Sequence, residues 1–100
     1  MEKWVRERVD VYLRHGGKTS RRATVKRLIA ILEDIQQHEQ GVRQPPQVGR
    51  AHLHRYWARH NALAERTLGD HWYATCLLWT LLDRAGKPPR PALASKLENE

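Results

Sequence analysis

The chain has 100 residues, which allow one domain with a modest core and leave little room for an enzyme cleft with a separate substrate domain. A net charge of +7 is a weak indication of a polyanionic partner. The single cysteine excludes an internal disulfide, and we find no secretory leader and no apolar run of about 18 residues. We therefore expect a cytoplasmic protein without a membrane segment.

Apolar residues at helical spacing predict four helices and no strand. In chain order these are residues 2–14, 20–38, 50–60 and 65–84. Gly16-Gly17 ends the first helix, and Gly86 fits the C′ position after the last. We predict an all-α fold, a compact four-helix bundle over residues 1–91 with a polar tail at 92–100. The predicted core contains Leu32, Trp57, Trp72, Cys76, Trp79 and Leu82.

Positive charge is concentrated in two stretches that contain no acidic residue. We call residues 11–32 the first basic stretch and residues 40–64 the second. A blocked distribution of this kind is typical of a nucleic-acid-binding face, and the alternative is a solvated surface. The first stretch carries Arg14, Lys18, Arg21, Arg22, Lys26 and Arg27, and the second carries Arg43, Arg50, Arg55, Arg59 and three histidines.

The start of the second helix carries cations where the helix dipole disfavours them. Thr19 or Ser20 can cap this helix, but the acidic residue of a capping box is missing. Helix N-termini accept phosphates, so an external anion would resolve the conflict, and we predict that it is a DNA phosphate. The alternative is an exposed basic helix start without a ligand. The candidate contacts are Lys18, Thr19, Ser20, Arg21, Arg22, Thr24 and Lys26.

Catalytic and metal-binding patterns are not found in the sequence. His52 and His54 are two residues apart and point to opposite sides of a helix, so they do not form a metal pair. Cys76 stands in an apolar run, where a buried thiol is inert. We therefore expect no catalytic residue, no metal and no cofactor in this chain.

Two segments carry a family resemblance. "SRRATVKRLIAILEDI" and "ERTLGDHWYATCLLWTLLDRAGKPPRP" resemble the N-terminal core-binding domain of tyrosine recombinases, the phage integrase family. The resemblance implies a SAM-like bundle of about four helices, of which the second and fourth face the major groove of double-stranded DNA. It adds Arg66, Thr67 and His71 to the candidate contacts, while Asp70 between them is acidic.

The resemblance also implies a role in DNA integration and recombination. In that family the domain clamps one side of the duplex, and a separate catalytic domain supplies the chemistry. The catalytic Arg, Lys, His-x-x-Arg cluster and nucleophilic Tyr of that family belong to a domain to which the resemblance does not extend, so the expected partners are duplex DNA and a catalytic domain in a full-length recombinase. The alternative is a small basic protein-interaction module without DNA binding. A helix-turn-helix regulator is a weaker alternative, because the last helix is too apolar to be a recognition helix.

Overall fold

The computed structural model describes residues 1–91, with Lys18 described by its backbone alone. These residues form a short 3₁₀ turn and five α-helices, and the described part contains no strand. The all-α prediction is confirmed, while the predicted tail lies outside the described residues. The helices are α1 (Glu2–Arg6), α2 (Asp10–Arg14), α3 (Lys18–His38), α4 (Arg50–Arg59) and α5 (Glu65–Leu81), and the 3₁₀ turn is Pro45–Gln47.

The predicted first helix is in fact two helices, α1 and α2. The Arg8 amide donates to the Val5 carbonyl at 3.0 Å, and the Trp4 carbonyl accepts the Arg8 side chain at 3.0 Å instead. The Arg8 guanidinium also lies 4.2 Å from the centre of the Trp4 ring. Because the side chain takes the acceptor that the next helical turn needs, the helix ends there. The break leaves Val5 and Val9 both fully buried.

Helix α3 begins two residues earlier than predicted. Gly17 is the N-cap residue, and no side chain caps the helix. The predicted caps, Thr19 and Ser20, lie inside the first turn and are exposed. Gly16 has φ +74°, and a Cβ there would lie 2.8 Å from Nε of Arg21. Glycine is therefore required at this turn, both for its backbone angle and for the room it leaves the arginine.

Helices α3 and α5 form the centre of the bundle and run antiparallel. His60, just before α5, contacts Asp34 in the second half of α3, and Thr80 near the end of α5 shares a cleft with Ser20 at the start of α3. Helices α1, α2 and α4 pack against α3. The core between them includes Val25, Leu28, Leu32, Ile35, Leu53, Trp57, Trp72, Leu78 and Trp79.

Helix α5 ends three residues earlier than predicted. The Asp83 amide donates to the Thr80 carbonyl and the Arg84 amide to the Trp79 carbonyl, both at 3.0 Å. These two bonds form a Schellman motif, and the residue at its C′ position is Asp83, with φ 54°. The prediction that Gly86 occupies this position is therefore wrong. Aspartate adopts the left-handed conformation at low enough cost to end a helix.

The predicted core is correct except at two residues. Cys76 is half-buried because it lines the cleft between α3 and α5, and Leu82 is half-buried because it follows the last turn of α5. Both still pack against the core. The buried members of the predicted core are Leu32, Trp57, Trp72 and Trp79.

Candidate nucleic-acid interface

The second basic stretch is largely paired with acidic residues of the α3 region. Arg55 donates two hydrogen bonds to Glu39, at 2.7 and 2.9 Å, and Arg59 donates one to Asp34 at 2.7 Å. The hydrogen bond from Arg55 lowers the pKa of Glu39. Burial alone would raise the pKa of Asp34, but the hydrogen bonds from Arg59 and His60 outweigh it and lower that pKa. These arginines therefore hold α4 against α3.

Two more residues of the second basic stretch are engaged inside the fold. Arg50 donates to the Lys87 carbonyl at 2.9 Å, and the Gly49 amide donates to Nδ1 of His52 at 2.9 Å. Among the four arginines of this stretch, only Arg43 has a side chain without a hydrogen bond to another described residue. The second basic stretch therefore has a mainly structural role.

A half-buried polar chain links α3, α4 and α5. Nε2 of His60 lies 3.1 Å from Asp34, and the Tyr56 hydroxyl lies 2.9 Å from Nδ1 of His71. Burial, with the charge of Asp34, raises the pKa of Tyr56 to about 12. Burial and then the charges of Arg27 and His60 lower the pKa of His71. His71, a predicted DNA contact, is thus placed on the inner side of α5.

The exposed part of the first basic stretch lies on the outer face of α3. Arg22 and Lys26 are exposed and one turn apart, as the sequence predicts. Thr24 donates its hydroxyl proton to the Ser20 carbonyl at 3.1 Å and lies on the α5 side of the helix. The first turn of α3 contains no acidic residue. The side chain of Lys18 lies outside the described part.

Arg21 is directed into the fold. Its Nη1 donates to the Tyr12 carbonyl at 3.0 Å, and its guanidinium carbon lies 4.5 Å from the centre of the Tyr12 ring. The side chain therefore ties α3 to α2. Arg22, the next residue, points to solvent.

The α5 candidates are on a neighbouring helix but far from the start of α3. Arg66 is exposed and Thr67 is half-buried. Because α5 runs antiparallel to α3, its first turn lies beside the second half of α3. Residues 20 and 34 of α3 are about 20 Å apart at 1.5 Å per residue. The two predicted helix starts therefore lie at opposite ends of one surface.

An open cleft of about 520 Å³ lies between α3 and α5. Arg27 and Ser20 lie on its α3 side, seven residues apart, and Asp70, Tyr73 and Thr80 lie on its α5 side. Tyr73 is 65% exposed, unusually high for a large apolar side chain. Arg66 continues the same row of α5, four residues before Asp70. The contacts predicted from the sequence do not include Arg27 and Tyr73. Arg27 is seven residues after Ser20 on α3, and Tyr73 is seven residues after Arg66 on α5, so each lies on the same helix face as that predicted contact.

Four cations of α3 and α5 have no described intramolecular partner: Arg27 lines the cleft, Arg22 and Lys26 are exposed on the outer face of α3, and Arg66 is exposed on α5. Within residues 1–91, the side chains of Arg22, Lys26, Arg27 and Arg66 make no hydrogen bond or ion pair. By contrast, Arg55 and Arg59 of α4 are bonded to acids. We call Arg22, Lys26, Arg27, Arg66 and Tyr73 the α3–α5 surface.

No family model, curated protein or solved structure matches this chain. Among the described residues, no group of three or more His, Cys, Asp or Glu side chains is placed to hold a metal ion. None of the helices in residues 1–91 has the length and apolar character needed to cross a bilayer.

Proposed function

We propose that the chain binds double-stranded DNA through the α3–α5 surface and serves as the N-terminal core-binding domain of a phage-type integrase, a tyrosine recombinase. Catalysis would reside in a separate domain. The resemblance of residues 20–35 and 65–91 to that family supports the proposal. Those segments cover most of α3 and all of α5, which pack antiparallel.

The observation that carries the proposal is the division of the arginines. Arg55 and Arg59 of α4 are neutralised by Glu39 and Asp34, whereas the cations of the α3–α5 surface have no described partner. Phosphate contacts supply most of the non-specific affinity of a protein for DNA, and they need cations that are not already paired. Arg22, Lys26 and Arg66 are exposed and without a described partner, so they meet that need.

Salt dependence tests the proposal. Each phosphate contact contributes about −0.9 to the slope of log K against log salt, so four contacts predict a slope of about −3 to −4. Changing Arg22→Gln and Lys26→Gln together should flatten the slope by about two and weaken binding to all sequences alike. The measurement is a fluorescence-anisotropy titration of a generic duplex at several salt concentrations.

The matched control removes the same two charges elsewhere, with Lys3→Gln and Arg43→Gln on α1 and in the loop after α3. Both side chains are exposed and make no described contact. The control should keep the parent slope. The proposal is wrong if the parent does not bind the duplex even at low salt. It is also wrong if the control and the α3 variant flatten the slope equally.

A further inference from the structure

The cleft between α3 and α5 carries charges of opposite sign on its two facing walls. Arg27 lines the α3 side and Asp70 lines the α5 side. Within residues 1–91 neither side chain makes a hydrogen bond or an ion pair, so the cleft holds the two charges apart. A ligand that bridges them needs an anionic group for the guanidinium and hydrogen-bond donors for the carboxylate.

Two hydroxyl groups of the cleft are arranged to accept hydrogen bonds from a ligand. Thr24 donates its hydroxyl proton to the Ser20 carbonyl and Thr80 donates its proton to the Cys76 carbonyl, both at 3.1 Å. Each hydroxyl oxygen therefore has only lone pairs left for a ligand. The carboxylate of Asp70 is likewise an acceptor only. The cleft thus favours a ligand that carries several N–H or O–H donors.

Tyr73 places an exposed aromatic ring beside Asp70. The two residues are three apart on α5 and line the same cleft, so their Cβ atoms are about 5–6 Å apart. The Tyr73 ring packs against Trp72 at a centroid distance of 5.5 Å, and Leu77 and Cys76 give the cleft an apolar part. A flat ring stacked on Tyr73 therefore brings one edge to the carboxylate. The cleft volume of about 520 Å³ is typical of small-molecule sites.

Guanine is the nucleobase whose hydrogen-bonding edge best matches a carboxylate. Its Watson–Crick edge presents two adjacent donors, N1–H and the N2 amino group, and a carboxylate accepts both, one at each oxygen. Adenine and cytosine present one donor next to an acceptor nitrogen, and thymine presents one donor between two carbonyls. A carboxylate therefore repels part of each of those edges. Unpaired bases stack on aromatic side chains and are recognised at this same edge.

We propose that the α3–α5 cleft binds a guanine nucleotide. The base stacks on Tyr73 and donates N1–H and an N2 proton to the carboxylate of Asp70. The phosphate accepts hydrogen bonds from Arg27 on the opposite wall. Thr24, one turn before Arg27, accepts a hydrogen bond from a sugar hydroxyl. This binding goes beyond the proposed DNA binding and does not require it, because a mononucleotide needs only the cleft.

Titration of the 100-residue chain with GMP and with AMP, followed by NMR shifts, tests base recognition. GMP should bind about 5- to 150-fold more tightly than AMP, the discrimination that a good bidentate pair gives. Asp70→Asn should reverse this preference, because an amide presents one acceptor and one donor, which match the adenine edge.

Asp83→Asn is the matched control for this substitution. Asp83 is exposed and does not line the cleft, and asparagine also adopts its left-handed conformation. The control should therefore keep the parent's preference for GMP. Equal affinity of the parent for GMP and AMP overturns the guanine site, and so does an unchanged preference in Asp70→Asn.

The phosphate contact is tested by comparing GMP with guanosine. Arg27→Gln should weaken the binding of GMP but not that of guanosine, which has no phosphate. Arg43→Gln, in the loop after α3, removes an equal charge outside the cleft and should change neither affinity. If Arg27→Gln leaves the affinity for GMP at the parent value, the proposed orientation of the nucleotide is wrong.

An oligo-dT strand with one central dG identifies the source of the guanine. Tighter binding of this strand than of GMP indicates a single-stranded nucleic acid, and weaker binding indicates the free nucleotide; both support the guanine site. A chain that binds duplex DNA but neither GMP nor the dG strand overturns this inference alone. A chain that binds GMP but no duplex overturns the proposed function alone.

Discussion

Replacing Arg59 or Arg22 with glutamine should have opposite effects on stability and on DNA binding. Arg59→Gln removes the hydrogen bond to Asp34 at 2.7 Å from a pair whose side chains are only 24% and 23% exposed. Exposed ion pairs are worth about 0–1 kcal/mol, and breaking a buried one costs about 3–5 kcal/mol. For this half-buried pair we expect a loss of about 1–3 kcal/mol in the free energy of unfolding, between those limits.

Arg22→Gln should do the reverse. Arg22 is exposed and opposes the dipole of α3, so its removal should leave the free energy of unfolding unchanged or slightly higher. It should flatten the DNA salt slope by about one, whereas Arg59→Gln should leave that slope unchanged. Urea unfolding and the DNA titration, run on both variants, give four values. If Arg59→Gln flattens the slope and keeps parental stability, the second basic stretch is the DNA contact and the assignment is reversed.

Three further expectations follow from the fold. Trp79→Ala should cost about 3–5 kcal/mol of an expected total of about 5–15, so a sharp thermal transition close to the parent's would contradict the core assignment. The pKa of His71 is lower in the folded chain than in the unfolded chain. As pH drops below about 6.5 the unfolded chain therefore binds more protons, and the free energy of unfolding should fall. The lowered pKa of Asp34 should cause a second loss of stability below about pH 4. When the urea midpoint is measured against pH, His71→Gln should remove the loss that begins near pH 6.5 and keep the one below about pH 4. Incubation with nicked DNA should give no covalent adduct by mass spectrometry; an adduct at any of the three tyrosines would overturn the non-catalytic assignment.

The long helices were predictable because local signals define them. Helix α3 needs only its apolar stripe and the two glycines before it, and the apolar stripe of α5 predicts that helix although not its end at Asp83. The division between α1 and α2 was not predictable in the same way. It depends on whether the Trp4 carbonyl accepts a backbone amide or the Arg8 side chain, and both patterns keep Val5 and Val9 on one face. Periodicity alone does not distinguish the two.

The sequence shows which helices carry the candidate cations, but it does not show the state of each cation. Arg21 and Arg22 are neighbours with the same charge, yet one bonds the Tyr12 carbonyl and the other faces solvent. That difference depends on the room that Gly16 leaves for the Arg21 side chain, a contact that composition does not encode. Likewise, the pairing of Arg55 with Glu39 joins residues 16 apart and brings together two helices. Charge counts along the chain therefore overstate the basic surface that is available to a ligand.

The antiparallel packing of α3 and α5 determines which parts of a DNA duplex the α5 candidates could contact together with α3. Since α5 begins beside the second half of α3, its first turn lies well away from Ser20, and the two helix starts are too far apart to hold one phosphate together. They lie at opposite ends of a surface, which suits contacts several nucleotides apart on a duplex whose base pairs rise 3.4 Å each. Between those ends, Tyr73 and Asp70 are the α5 side chains at the outer rim of the cleft. A carboxylate repels phosphate, so in the proposed DNA complex Asp70 would have to lie away from the phosphates, unlike the cations on either side of it.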